Sequence, residues 1–218
     1  MMLRMLAAGL RNSWRPCTGM ILLLVLAAPP IRRATEASMT AHMLVQYPAL
    51  MLAGGLLVEG LPGRWLHEVQ RWNELGITGL VGSALTLAVL MVPRALDLAL
   101  IDIRVESLKL GALILSGAAL RLSWQRAGIV VQVFFLGNVL PMMVVVGTLY
   151  QGSATRVCNA YRLDDQKVVG LALICIAVSI ASLWLLRLGL QSRDVEPRVP
   201  QGPVTDAAKP IDQSHAEG

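Results

Sequence analysis

The run from Ala127 to Leu149 contains no Asp, Glu, Lys or Arg, and the run from Val168 to Leu190 contains only Arg187. Crossing the hydrocarbon layer of a bilayer takes about 20 apolar residues in a helix. In lipid every backbone N–H and C=O must be satisfied within the protein, which narrows the choice to helices and closed barrels. Barrel strands alternate apolar and polar residues; these runs do not, so they predict helices. The whole sequence agrees, with 55% hydrophobic and 15% charged residues, against about 25% charged in a soluble domain. The expected fold is all-α, a polytopic transmembrane helical bundle.

Six spans are expected, near residues 17–31, 39–58, 75–93, 106–122, 127–149 and 168–190. In the fourth, Lys109 and Arg121 lie near the ends, where long side chains snorkel to the headgroups. The first span is short and follows Arg4, Arg11 and Arg15, and Val25-Leu26-Ala27 has the grammar of a cleavage site. It reads as a retained helix or as a cleaved signal. With six spans both termini are cytoplasmic, and inner segments hold eleven Lys and Arg against eight outside, in the sense of the positive-inside rule. The net charge of +5 fits such anchoring and argues against nucleic-acid binding. The expected organisation is a basic segment at 1–16, a membrane domain at 17–190 and a disordered cytoplasmic tail at 191–218, where Pro, Asp, Gln and Gly dominate.

Between the spans, Leu61 to Asn73 places Trp65, Leu66, Val69 and Trp72 at helical spacing among Arg64, Glu68 and Arg71. That pattern predicts a short helix lying in the inner interface. Residues 94–105 read as an outer interfacial helix running into the fourth span. Asn138 is expected to hydrogen-bond across helices and Pro141 to kink its own. Gly76, Gly79, Gly82, Gly111 and Gly117 favour close helix packing. Cys17 and Cys175 read as small packing residues, Cys158 as a loop residue, and no disulfide is implied.

No metalloprotease, nucleophile-elbow, phosphate-loop or dinucleotide motif is present, so the chain does not read as an enzyme. Its polar residues gather instead at the outer ends of three spans: His42, then Asp97, Asp102, Glu106 and Lys109, then Asp164, Asp165 and Gln166. Helix ends are also polar simply because they meet water, and acidic groups suit a helix N-terminus. His42 lies with Met39 at i−3 and Met43 at i+1. Imidazole and thioether together suit Cu(I).

These landmarks carry a family resemblance. The run Ala41-His42-Met43-Leu44-Val45-Gln46-Tyr47 through Met51-Leu52 resembles the His-Met-x-Gln-His motif of the CtaG-like family of cytochrome c oxidase assembly factors. The Gly60-Leu61-Pro62-Gly63 turn follows as in the family. Pro93-Arg94-Ala95-Leu96-Asp97-Leu98-Ala99-Leu100 and Arg162-Leu163-Asp164-Asp165-Gln166 resemble two later family segments. The resemblance implies a bacterial inner-membrane protein that helps mature a copper-containing respiratory oxidase. Its partners would be haem–copper oxidase subunits or another membrane complex. Copper would sit at an outward site drawn from His42, Met39, Met43, Asp97 and Asp165. This chain departs from the pattern at several ligand positions. Tyr47 replaces the second His, and one extra residue separates His42 from Gln46. Glu106 and Lys109-Leu110 stand where the family has a His and then a Glu-His pair. The alternative expectation is therefore a metal-free accessory or scaffold subunit of a membrane complex.

Overall fold

The computed structural model describes residues 2–153, 157–158 and 160–193, with side chains from residue 14 to 191. The expected tail at 191–218 falls almost wholly outside these residues, as do the side chains of Arg4 and Arg11. Every regular element among the described residues is helical. The chain divides into two compact units, Met1–Ser182 and Leu183–Gly218. Of the second, residues 183–193 are described and are helical.

Helix α1 (Met2–Ala27) ends where Pro29 and Pro30 follow. Proline disfavours helical geometry in the residue before it, and Ala28 is extended (φ −62°, ψ 129°). The chain bends by 71° into α2 (Pro29–Glu36). Ser38 then caps α3 (Met39–Ala41) by accepting from Ala41 N at 3.1 Å. A π-turn, His42–Gln46, and α4 (Tyr47–Leu57) continue the same rod to a 3-10 turn at Val58–Gly60. The π-turn has a local cause. Pro48 has no N–H for the Leu44 carbonyl, and its ring crowds that carbonyl in a regular helix. The turn widens until Tyr47 N donates to His42 O, five residues back.

A helix forms where expected, α5 (Gly63–Trp72), with Trp65, Val69 and Trp72 exposed. An 82° bend separates it from α6 (Ile77–Leu90). Gly76 makes the corner with φ +72°, and a Cβ there would meet Ser123 O at 2.6 Å. Helices α7 (Pro93–Ile101) and α8 (Ile103–Trp124) follow. The expected continuous run into the fourth span is broken at Asp102, which leaves helical geometry and caps α8 by accepting from Arg104 N at 2.8 Å. The long helices α9 (Ile129–Gly152) and α10 (Leu163–Arg193) complete the chain.

Among the described residues three segments are long and apolar enough to cross a membrane: Met39–Gly60, Ile129–Gly152 and Leu163–Gln191. The bent pairs α1/α2 and α5/α6 raise the number to five if each crosses as one span. Helix α8 has the length, but Arg104, Glu106, Lys109 and Arg121 interrupt its apolar run.

Helix α8 packs against both α4 and α6. Its buried residues Glu106, Lys109, Leu113, Ser116, Gly117 and Ser123 fall mostly three or four apart, on one face. Glycine sets how closely it approaches α4: a Cβ on Gly54 would overlap the Ile114 backbone, and one on Gly117 the Met51 backbone. A Cβ on Gly79 would meet the side-chain hydroxyl of Ser123, whereas Gly82 and Gly111 face open space. Asn73 donates to Ser123 Oγ at 2.7 Å, and Ser83 donates to Ser116 O at 3.0 Å. Asn138 does not bond across helices; its amide donates to Phe134 O at 2.7 Å within α9. The three cysteines are free. Their burial reverses expectation, because Cys158 is enclosed while Cys17 and Cys175 are exposed.

Candidate functional site

The π-turn places His42, Met43 and Gln46 in the interior, with Met39 and Tyr47 buried on either side. His42 is fully enclosed. Its Nε2 lies 2.9 Å from Lys109 Nζ, and its Nδ1 lies 2.6 Å from the hydroxyl of Tyr161. An ammonium only donates. Nε2 is therefore the acceptor, and the ring proton sits on Nδ1, donated to Tyr161. The rings of Tyr47 and Tyr161 meet the imidazole edge-on, with centroids 5.4 and 6.2 Å away.

Lys109 does not snorkel. Its side chain has no exposure and lies 3.8 Å from Glu36 Oε1. Arg32 sits 3.3 Å from Glu106 and 3.9 Å from Glu36. Two cations thus face two carboxylates. A charge leaves water at acceptable cost only with opposite charge and hydrogen bonds around it. Lys109 has the carboxylate of Glu36 and the imidazole of His42. The cluster joins α2, the π-turn and α8.

A second set of contacts fixes Tyr161. Ala160 N donates to Asp97 Oδ1 at 3.3 Å, and Val157 N donates to Gln166 Oε1 at 3.0 Å. Gln166, itself buried, donates onward to Tyr150 O at 3.3 Å. Asp97 from α7 and Gln166 from α10 so hold the short segment that delivers Tyr161 to His42. The same segment encloses Cys158, whose thiol is pushed up to about 11 by burial and the nearby Asp97 carboxylate, with a hydrogen bond to Tyr150 partly offsetting them. Burial, and then the Glu36 carboxylate, raise the Tyr161 phenol as well.

The residues expected at a copper site share this region in different roles. Met39 and Met43 are buried beside His42. Asp97 is engaged by the Ala160 N–H, and Asp165 is half-buried in the first turn of α10. Among the described residues no group of three or more His, Cys, Asp or Glu is placed to hold a metal. In this arrangement the site does not fit a copper ion: the Nε2 lone pair points at an ammonium and Nδ1 carries the ring proton. Sequence reasoning missed Arg32, Glu36 and Tyr161. Glu106 and Lys109 offered a signal, being a charged pair three residues apart on a face that turned out to be interior.

Several interior polar atoms have no hydrogen-bond partner among the described residues: both amide atoms of Gln46, the hydroxyl of Tyr47, Arg32 Nε, and Oε1 of Glu36 and of Glu106. Groups buried this way are uncommon and need a reason. Arg32, Glu36 and Glu106 have each other's opposite charge nearby, whereas Gln46 ends the π-turn and Tyr47 follows it.

No family profile matches this sequence, and neither a curated protein nor a solved structure is significantly similar to it.

Proposed function

We propose that this protein is a non-enzymatic, multi-pass membrane protein that serves as a metal-free accessory or scaffold subunit of a membrane complex, built on a CtaG-like plan. One observation carries the reading: Lys109 Nζ sits 2.9 Å from His42 Nε2. That is where a metal would need the imidazole lone pair, and the ammonium brings positive charge to the same place. The positions matched to the family's motifs support the plan, since His42 and Lys109 meet although far apart in sequence. Asp97 and Gln166 meet the same loop. The extra residue between His42 and Gln46 coincides with the π-turn, which takes up one residue more than a regular turn.

In this reading the protein lies in a bacterial inner membrane with six spans and both termini cytoplasmic. Helix α8 is the fourth span, and its charges at the His42 end are neutralised inside the bundle, away from lipid. The partner is a haem–copper oxidase or another membrane complex. A second reading, a copper-handling assembly factor for a copper-containing oxidase, draws on Met39 and Met43, which are buried on the same stretch of chain as His42.

Copper content separates the two. Wild type and His42→Ala, purified under reducing conditions, should both be copper-free by elemental analysis. Stoichiometric copper lost on substitution would overturn the metal-free reading in favour of the second. The scaffold role predicts co-purification with a larger complex in mild detergent, and an isolated monomer would contradict it. Unchanged oxidase activity in a deletion strain would remove the oxidase as partner.

A further inference from the structure

A cavity of about 740 Å³ runs along α4 from Met43 to Glu59. Its walls are almost entirely apolar, with Met51, Leu140, Met143 and Leu173 among them, and Gly55 and Gly117 line it without side chains. Sixteen residues of helix advance about 24 Å. The groove therefore covers most of a hydrocarbon layer about 30 Å thick. Water has few polar partners along it, and apolar cavities stay dry. A single extended hydrocarbon chain fits. The methionines on its walls adapt readily to such a chain.

The Glu59 end is charged. Glu59 accepts from Arg15 Nη1 at 2.8 Å through one oxygen and from Arg121 Nε at 2.8 Å through the other. Two guanidiniums against one carboxylate leave a net positive charge at that mouth. Arg121 lines the groove and keeps 38% of its side chain exposed. Each guanidinium has five N–H donors in a planar fork suited to carboxylate or phosphate oxygens.

We propose that this groove is a binding site for one long-chain anionic amphiphile, its apolar chain lying along α4 and its headgroup held at the Arg15–Glu59–Arg121 end.

Trp124 lines the same end of the groove and can report on it. The test uses the full chain in phosphatidylcholine nanodiscs, with Trp14, Trp65, Trp72 and Trp184 replaced by Phe. The probe is a twenty-carbon fatty acid carrying a nitroxide either beside the carboxylate or near the chain end. Quenching of Trp124 should saturate at one probe per chain and be stronger for the label beside the carboxylate. The neutral alcohol of equal length should bind at least tenfold more weakly. Arg121→Gln should lower affinity for the acid toward that of the alcohol, while Arg121→Lys keeps most of it. Leu140→Phe, which adds bulk to the groove wall without adding a tryptophan, should weaken binding of the acid and the alcohol alike. Non-saturating quenching, equal quenching by the two label positions, or equal affinity for acid and alcohol would each show only bulk lipid against the surface and overturn the proposal. The acid–alcohol comparison needs no variant at Arg121, so it decides the matter even where Arg121→Gln fails to fold.

Discussion

Lys109 Nζ lies 2.9 Å from Nε2 of His42, 67 residues earlier in the chain, and has no exposed side-chain surface. The contact ties α8 to the π-turn, with Glu36 of α2 as counter-charge. Removing one member of a buried pair leaves its partner unpaired in a poor solvent, at a cost of about 3–5 kcal/mol. Lys109→Met should therefore lower thermal stability in mild detergent by an amount in that range. Lys109→Met combined with Glu36→Gln should cost less than the two single substitutions added together. Strict additivity would mean that the two groups do not interact.

The same substitution tests why the site excludes metal. Lys109→Met removes the ammonium from Nε2 and adds a thioether beside His42. Soft thioether and imidazole donors suit Cu(I). Purified under reducing conditions and titrated with Cu(I) against a competing chelator, Lys109→Met should bind copper more tightly than wild type by at least tenfold. Equal affinity would show that the ammonium is not what keeps copper out.

The long apolar helices are plain in the sequence because composition alone marks them, and Met39–Gly60, Ile129–Gly152 and Leu163–Gln191 lie close to expectation. Helix α5 is equally legible from the helical spacing of its tryptophans. The role of α8 is not. Charges near the ends of an apolar run read as facing headgroups, and only tertiary structure shows that Glu106 and Lys109 turn inward. Tyr161 was invisible, because nothing local distinguishes one loop tyrosine that meets a histidine 119 residues away. Asp97 stands out in the sequence as a candidate ligand and Gln166 as a polar residue at a helix start, whereas their observed contacts hold the loop backbone.

Cys158 makes a prediction about alkaline pH. A thiol free in the unfolded chain titrates near about 8.5, and burial pushes Cys158 up to about 11 in the fold. The folded state thus favours the protonated thiol. Its contribution to stability is fully present below the unfolded value and is lost as pH rises from about 8.5 through 11. The melting temperature of wild type should fall across that interval, and Cys158→Ala should flatten that part of the fall. An identical slope in the variant would show that the thiol is not held in the enclosed site. Maleimide at neutral pH should likewise leave Cys158 unmodified until the protein is unfolded.

Two glycines in α8 separate helix propensity from packing. Glycine inside a helix is worse than alanine by about 0.5–1 kcal/mol. Gly111 faces open space, so Gly111→Ala should be neutral or stabilising by up to that amount. At Gly117 a Cβ would overlap the Met51 backbone of α4. A backbone cannot rotate aside as a side chain can, so the helices must part, and overpacking of this kind costs about 1–3 kcal/mol. Gly117→Ala should therefore be the less stable of the two despite the better helix former. Thermal unfolding of both variants in one detergent reads the order directly. If Gly117→Ala equals or exceeds Gly111→Ala, then α4 and α8 do not touch backbone to backbone.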